Sequence, residues 1–585
     1  MQKSKCLWLT AGLTLLLAAC SGGTPPQDLT LAGVSPDNPT VAQGQTLNLT
    51  LTFTSQNGFQ GEVSLSVTEN GRNPSWLTLS PTSKYLNVPK GGQVQETLQV
   101  QVAGDAPTGP HTLRLEATYG NRTAAQDLTL TVTGQPFAVL YEGLGTKALA
   151  VTSDGTHLYV AGFRQDTYEN GLQDAMVWKL DGQGQVVAQR RIGSELMPGY
   201  DYPVRVNDRA YALALHGNYL YVAGYLAGCD DTDQDTCEGA PFVAKLNPTD
   251  LNYVEAFGGN DFYGVSQPGV AILDPVDYSR SYAYTLAVDD TGVYVGGFGG
   301  TQGFLAVLDP ATGQERERLV LGSADSQAKT HVEAVLVKDG TLYVAGHTNV
   351  PFNCDGSPTG PVAQSATAFV LKLSASDLTC NGGFGSGGVA TLQTPGDTEI
   401  LSLALSQDGT RLLAAGFGGE TLAEGDTSVT FKGLARLWVL EPSTGQTVAS
   451  FPDINDYPYP ISSHCQVDPG TYEQNITCAD KTRGLSLASD GSLLLVGHVK
   501  GQVEAQDRFP GTEDGLTGSD LFFARYRVDG TRLDYQEVDF SEGTELGFGV
   551  VEGPGGHSYA VGSTTGPVGS LTDPSPKAIV LRFGP

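Results

Sequence analysis

A three-burst unit recurs seven times after Phe137, and this recurrence constrains the chain more than any other feature. The first burst ends in a tight turn: ALAVTSDG, YALALHGN, YTLAVDDTG, EAVLVKDG, LSLALSQDG, LSLASDG and FGVVEGPGG. The second follows as LYVAG from Leu158, LYVAG from Leu220, VYVGG from Val293, LYVAG from Leu342, LLAAG from Leu412, LLLVG from Leu493 and SYAVG from Ser558. The third reads AMVWKL, PFVAKL, GFLAVL, AFVLKL, ARLWVL, LFFARY and KAIVLRF. Bursts this short, rich in Val, Leu and Tyr and divided by Asp-Gly or Gly-Asn turns, are strands joined in hairpins. The second burst has no polar face: Leu158 and Val160 point one way, Tyr159 and Ala161 the other. Each direction must therefore meet another sheet. Gly162 and its equivalents end the strand where the backbone turns or another segment comes close.

Six copies continue into a fourth strand, such as QVVAQRRIG and QERERLVLG, but after Phe583 the seventh has none. Ahead of the first copy stands PFAVLYEGLG, Pro136 to Gly145, with the look of a fourth strand and no three before it. The expected fold is all-β: residues 136–585 form a seven-bladed β-propeller in which this N-terminal strand completes the last blade. A second β-sandwich is the rival, disfavoured by the sevenfold count. Residues 28–134 differ: about seven bursts such as LNLTLTF, EVSLSV and DLTLTVT alternate apolar with polar, the pattern of an antiparallel β-sandwich.

The N-terminus carries Lys3 and Lys5 ahead of an apolar run from Leu7 to Ala19, the layout of an export signal over residues 1–19. Leu17-Ala18-Ala19-Cys20 resembles the lipobox of bacterial lipoproteins, which implies that Cys20 is lipidated and that residues 20–27 are a tether. The expected location is the bacterial cell envelope, with acyl chains as the membrane anchor. Residues 28–134 look like the Ig-like modules of bacterial surface proteins, whose usual role is a spacer or an adhesive arm. The repeat resembles bacterial propeller repeats of the SBBP type, and FGSGGVATL at Phe384 resembles the turn of delta-60 repeats. These resemblances imply a scaffold and say little of function.

A formal net charge of −30, spread along 585 residues, argues against nucleic acid or an anionic membrane surface as partner. The connections after second strands and between blades are long and dissimilar, and they emerge on one side, which makes that face the candidate for ligand binding. Cys229 with Cys237 and Cys465 with Cys478 would each staple one long loop, in keeping with an oxidising compartment. Cys354 pairs with Cys380 by elimination, although the two lie in loops on opposite sides of their blade.

Asp231, Asp233, Asp235 and Glu238 have the alternate spacing of calcium loops, without the glycine of an EF-hand. They form either an irregular Ca²⁺ loop or a solvated acidic tip. Lys147, Arg209 and Arg483 sit eight residues before the turn glycine of their blade, with His331 one residue off that register. At the mouth of an axial channel these cations would hold an anionic ligand, or else pair with neighbouring acids. His347 and His498 take positions filled by Phe and Tyr in other blades, which favours packing. No H-E-x-x-H, G-x-S-x-G or phosphate-cradling glycine loop occurs. The reading is a monomeric, non-enzymatic envelope lipoprotein that binds a protein or glycan. The alternative is an exported polysaccharide hydrolase or lyase using loop carboxylates.

Overall fold

The computed structural model describes residues 27–584 apart from 104–105, 107–108, 134–135, 142–144, 166–172, 194–207, 229–237, 260–267, 277–280, 425–426, 452–465, 468–474, 478–479, 500–501, 504–515, 541–542 and 569–570. The described residues are almost wholly β, and no helix among them is long and apolar enough to cross a membrane. By contacts the chain divides into two compact units, the smaller ending at Leu130 and the larger holding Thr131 onward together with Thr40–Gln45 and Ala103–Pro110.

The N-terminal part contains two sheets. One orders Thr30–Ser35, Thr46–Ser55, Gly92–Val102 and Leu77–Ser80; the other orders Thr40–Ala42, Arg122–Thr133, Gly109–Tyr119, Phe59–Thr68 and Ser83–Val88. Burial alternates as the sequence pattern demands: Leu49, Leu51 and Phe53 are buried while their neighbours are not.

From Ala138 onward the described residues form seven sheets built on four antiparallel strands, and a separate two-stranded ribbon pairs Gln502–Val503 with Leu516–Thr517. The leading strands of the seven sheets are Thr146–Ser153, Arg209–His216, Ser281–Val288, Thr330–Lys338, Glu399–Leu405, Lys481–Leu487 and Glu545–Glu552. Sheet five is enlarged by Gln466–Val467 and Asn475–Thr477, which lie beside Thr427–Leu440. In sheet seven the fourth place is taken by Ala138–Leu140, paired antiparallel to Lys577–Phe583 with Val139 opposite Ile579. The second strands are buried without interruption, as Leu158 to Phe163 are. Leu158 and Val160 pack with Tyr559 and Val580 of sheet seven, while Tyr159 and Ala161 pack with Leu220 and Val222 of sheet two. The absence of a polar face in the sequence is thus explained by a neighbour on each side.

The tyrosine of this strand has a second use. Tyr221 and Lys245 of sheet two both donate to the Pro310 carbonyl in sheet three, at 3.3 and 2.7 Å. Tyr343 and Lys372 of sheet four do the same to the Pro442 carbonyl of sheet five, at 3.2 and 2.8 Å. Tyr159 and Lys179 of sheet one reach the Pro248 and Thr249 carbonyls of sheet two. Burial raises the Tyr221 hydroxyl to about 12 and lowers the Lys245 and Lys372 ammonium groups. These polar tips therefore staple one sheet to a turn of the next.

Two connections differ from the expectation. Asn-Pro-Thr-Asp at Asn247 does not lead straight into a fourth strand, because the fourth strand of sheet two is Val270–Ile272. A long connection therefore joins the third and fourth strands of sheet two, at the end opposite the long connections that follow second strands. Elaboration is consequently present at both ends. The expected bond between Cys354 and Cys380 is present, with Cα atoms 5.9 Å apart, and the second departure is the route that allows it. The connection after Thr348 does not stay on its own side. Phe352 packs on Phe369, Gly322 N–H donates to the Gly356 carbonyl, and Cys354 is carried down beside Val389.

Candidate functional site at the head of the leading strands

Every one of the seven leading strands carries a β-bulge at the same place. The extra residues are Leu149, Tyr211, Tyr284, Glu333, Leu401, Arg483 and Phe548, and all seven line one cavity of about 230 Å³. A bulge re-aims one side chain at the expense of a ladder position. Here it turns one residue of each sheet toward a shared space. It also explains the glycine that ends LYVAG. A Cβ on Gly162, Gly224, Gly346 or Gly416 would stand 1.9 to 2.0 Å from the carbonyl oxygen of Lys147, Arg209, His331 or Glu399.

One residue before the first ladder break lies a second tier, whose members face the residue after each glycine: Lys147 opposite Phe163, Arg209 opposite Tyr225, Tyr282 opposite Phe298, His331 opposite His347, Glu399 opposite Phe417, Lys481 opposite His498 and Leu546 opposite Ser563. This corrects the expected register. His331 stands level with Lys147 and Arg209, whereas Arg483 belongs to the bulge tier and Lys481 takes the place expected of it. Counting back from the turn glycine fails because the turns differ: Gly217-Asn218 and Asp339-Gly340 are two residues long, while Ala488 to Ser492 spans five.

Arg209 is buried, donates from Nε to Gln173 Oε1 at 2.5 Å and lies 4.5 Å over the Phe163 ring. Arg483 lies 5.9 Å over Phe548. Lys147 is buried, and Lys481 lies 4.6 Å over Phe417. Tyr211, Tyr282 and Tyr284 pack with Phe298 and Phe548 in one aromatic cluster. Burial pushes the Tyr284 hydroxyl well above its usual range, helped by nearby Tyr211 and Glu333. Three of these cations, Arg209, Lys481 and Arg483, thus lie over aromatic faces around the cavity.

His331 stacks on Phe298 with ring centres 3.9 Å apart, and its Nδ1 is 3.5 Å from Glu333 Oε1. The His347 ring is 4.6 Å away, with Nδ1 3.7 Å from Glu399 Oε2. Burial first, then the His331 and Lys481 charges, lowers His347 to about 3, so its imidazole is neutral at ordinary pH. Packing was expected for His347, and nothing in the linear spacing joins it to His331. Folding the hairpin about Asp339-Gly340 would have placed them face to face. Asp520, Asp539 and Glu545 form a second group of acids; burial raises Glu545 to about 8, and Thr564 Oγ1 donates to it at 2.5 Å.

The expected lipidated Cys20, the calcium-loop acids Asp231, Asp233 and Asp235, and the pairs Cys229–Cys237 and Cys465–Cys478 lie outside the described residues. Glu238 opens the strand Glu238–Leu246 opposite Gly228.

No family model matches the chain, and no curated protein matches it. Among solved structures, the computationally designed Ika8 protein is similar over 76% of this chain and 99% of its own, at 11% identity and a TM-score of 0.31. A quinonprotein alcohol dehydrogenase-like protein from Bacteroides thetaiotaomicron is 10% identical over 88% of this chain and 95% of its own, with a TM-score of 0.28. A glycoside hydrolase family 32 structure from Bifidobacterium adolescentis is 11% identical over 89% and 80%, with a TM-score of 0.25. Likeness this distant carries no functional argument.

Proposed function

We propose that this chain is a non-enzymatic binding scaffold of the cell envelope, in which the seven sheets close into a seven-bladed propeller and the N-terminal pair of sheets is an Ig-like spacer. Contacts between successive leading strands, and between Thr146–Ser153 and Glu545–Glu552, support the closed ring. The pairing of Ala138–Leu140 with Lys577–Phe583 supports it further. Anchoring through acyl chains on Cys20 follows from the lipobox resemblance.

The observation that carries the binding reading is the cavity of about 230 Å³ lined by Tyr211, Tyr284 and Phe548 with Arg483 and Glu333. It is smaller than the ~300–1,000 Å³ of drug-sized pockets, a size that suits one sugar ring of a glycan or one side chain of a protein ligand. Aromatic faces would take the apolar side of a sugar, and Arg483 and Glu333 its hydroxyl or carboxylate groups. A glycoside hydrolase uses two carboxyl groups roughly 5–10 Å apart. Glu333 is the one carboxylate among the described residues lining this cavity.

The test is a glycan array and a pulldown with the purified chain, with and without Ca²⁺. Capture of a ligand, weakened at least tenfold by Arg483→Ala or Tyr284→Ala, is the expected result. Cleavage of polysaccharide with no capture would replace this reading with the hydrolase or lyase.

A further inference from the structure

We propose that His331, Glu333 and His347 bind one divalent metal ion of the zinc class beside the cavity. Their donor atoms all lie within 4.8 Å of one another. Zinc ligands at about 2.0–2.2 Å from the ion stand roughly 3.4 Å apart in a tetrahedron, so side-chain rotation of about 1 Å closes the set. The three residues sit on one hairpin, Thr330–Lys338 with Thr341–Thr348, where His331 and His347 are direct cross-strand partners. Strands hold such a constellation more firmly than loops do.

Two further observations point to a ligand rather than to packing. His347 is buried, and its Nδ1 has no hydrogen-bond partner among the described residues; the nearest carboxylate, Glu399, is 3.7 Å away, too far to serve. Buried polar atoms in native proteins are nearly always satisfied, so an orphaned imidazole nitrogen on a residue clustered with His331 and Glu333 calls for a cation. The bulge, moreover, brings Glu333 to the His331 ring, with Nδ1 and Oε1 at 3.5 Å, while Phe298 fixes that ring from the other face.

Two imidazoles and one carboxylate are borderline donors, suited to Zn²⁺ and its neighbours and not to Ca²⁺, which takes oxygen ligands alone. Three protein ligands leave a fourth position for water or for a donor atom from the cavity, whose wall Glu333 already forms. The inference goes beyond the scaffold reading and holds whether or not the cavity takes a sugar.

The full chain, stripped with a chelator, would be titrated with Zn²⁺ by calorimetry and with Co²⁺ by visible absorption. The expected result is one equivalent bound, with intense Co²⁺ bands of a four- or five-coordinate site. His347→Ala and Glu333→Gln should each weaken binding at least about tenfold and change those bands. Melting of the metal-free variants checks that they fold; if His347→Ala does not, Glu333→Gln and His331→Gln carry the test. A folded chain that takes up no Zn²⁺ overturns the proposal. So does one whose affinity and Co²⁺ spectrum are indifferent to every one of these substitutions that folds, because the ion then sits elsewhere.

Discussion

Two sets of positions in the seven sheets behave oppositely. In the second strands the same letters return, while at the bulge of the leading strands the side chains are Leu149, Tyr211, Tyr284, Glu333, Leu401, Arg483 and Phe548. The first set is repeated because it faces a neighbouring sheet twice over and meets a carbonyl at its terminal glycine. The second lines the common cavity, where no neighbouring sheet dictates size or charge. Repetition in this chain therefore measures packing constraint, and its absence marks where chemistry can vary.

Four experiments would break or sharpen this contrast. The largest effect is expected from pH, through the head of sheet seven. Glu545 stands where Thr146, Ser281, Thr330 and Thr398 precede the second tier in other sheets, and burial raises it to about 8. A carboxyl whose folded pKa lies above its unfolded value of about 4.5 keeps a proton that the unfolded chain releases. Its contribution is whole below pH 4.5 and is lost as pH rises toward 8, by up to roughly 5 kcal/mol. Urea unfolding at pH 5 and pH 8.5 should show this slope, and Glu545→Gln should flatten it.

Next comes Gly346→Ala, which sets a Cβ 1.9 Å from the His331 carbonyl and should cost about 3 kcal/mol, read as a fall in melting temperature. Smaller again is the inter-sheet staple: Tyr343→Phe combined with Lys372→Met leaves the Pro442 carbonyl without its two donors and should cost about 1–2 kcal/mol. Smallest is Leu401→Ala in the bulge tier, half-buried at the cavity, with about 1 kcal/mol or less in the same melt. If Leu401→Ala proved as damaging as Gly346→Ala, the distinction between the two sets would fail.

The strands themselves were legible because burial on both faces writes Leu-Tyr-Val-Ala-Gly without interruption, a pattern that a half-exposed hairpin does not give. The tier around the cavity was only half legible. Lys147 and Arg209 were found from their distance to the turn, but Arg483 was placed a tier too high, because each turn has its own length. The fourth strands of sheets two and four were hidden by brevity, Val270–Ile272 and Val389–Leu392, behind long connections. The bond between Cys354 and Cys380 was reached by elimination, yet its route was illegible, since a loop that doubles back along its sheet leaves no periodic trace. His331 and His347, sixteen residues apart, become neighbours only once a hairpin register is imposed.

The partnership of Val139 with Ile579 also governs the order in which this molecule can be assembled. Local hairpins form early, while a contact spanning roughly 440 residues must wait until the intervening sheets have brought its ends together. Until then the strand Lys577–Phe583 keeps an unpaired, largely apolar edge open to any passing chain. The slowest step of refolding and the moment of greatest aggregation risk should therefore coincide at this seam, and a synthetic peptide copying Pro136 to Gly145 should compete for it.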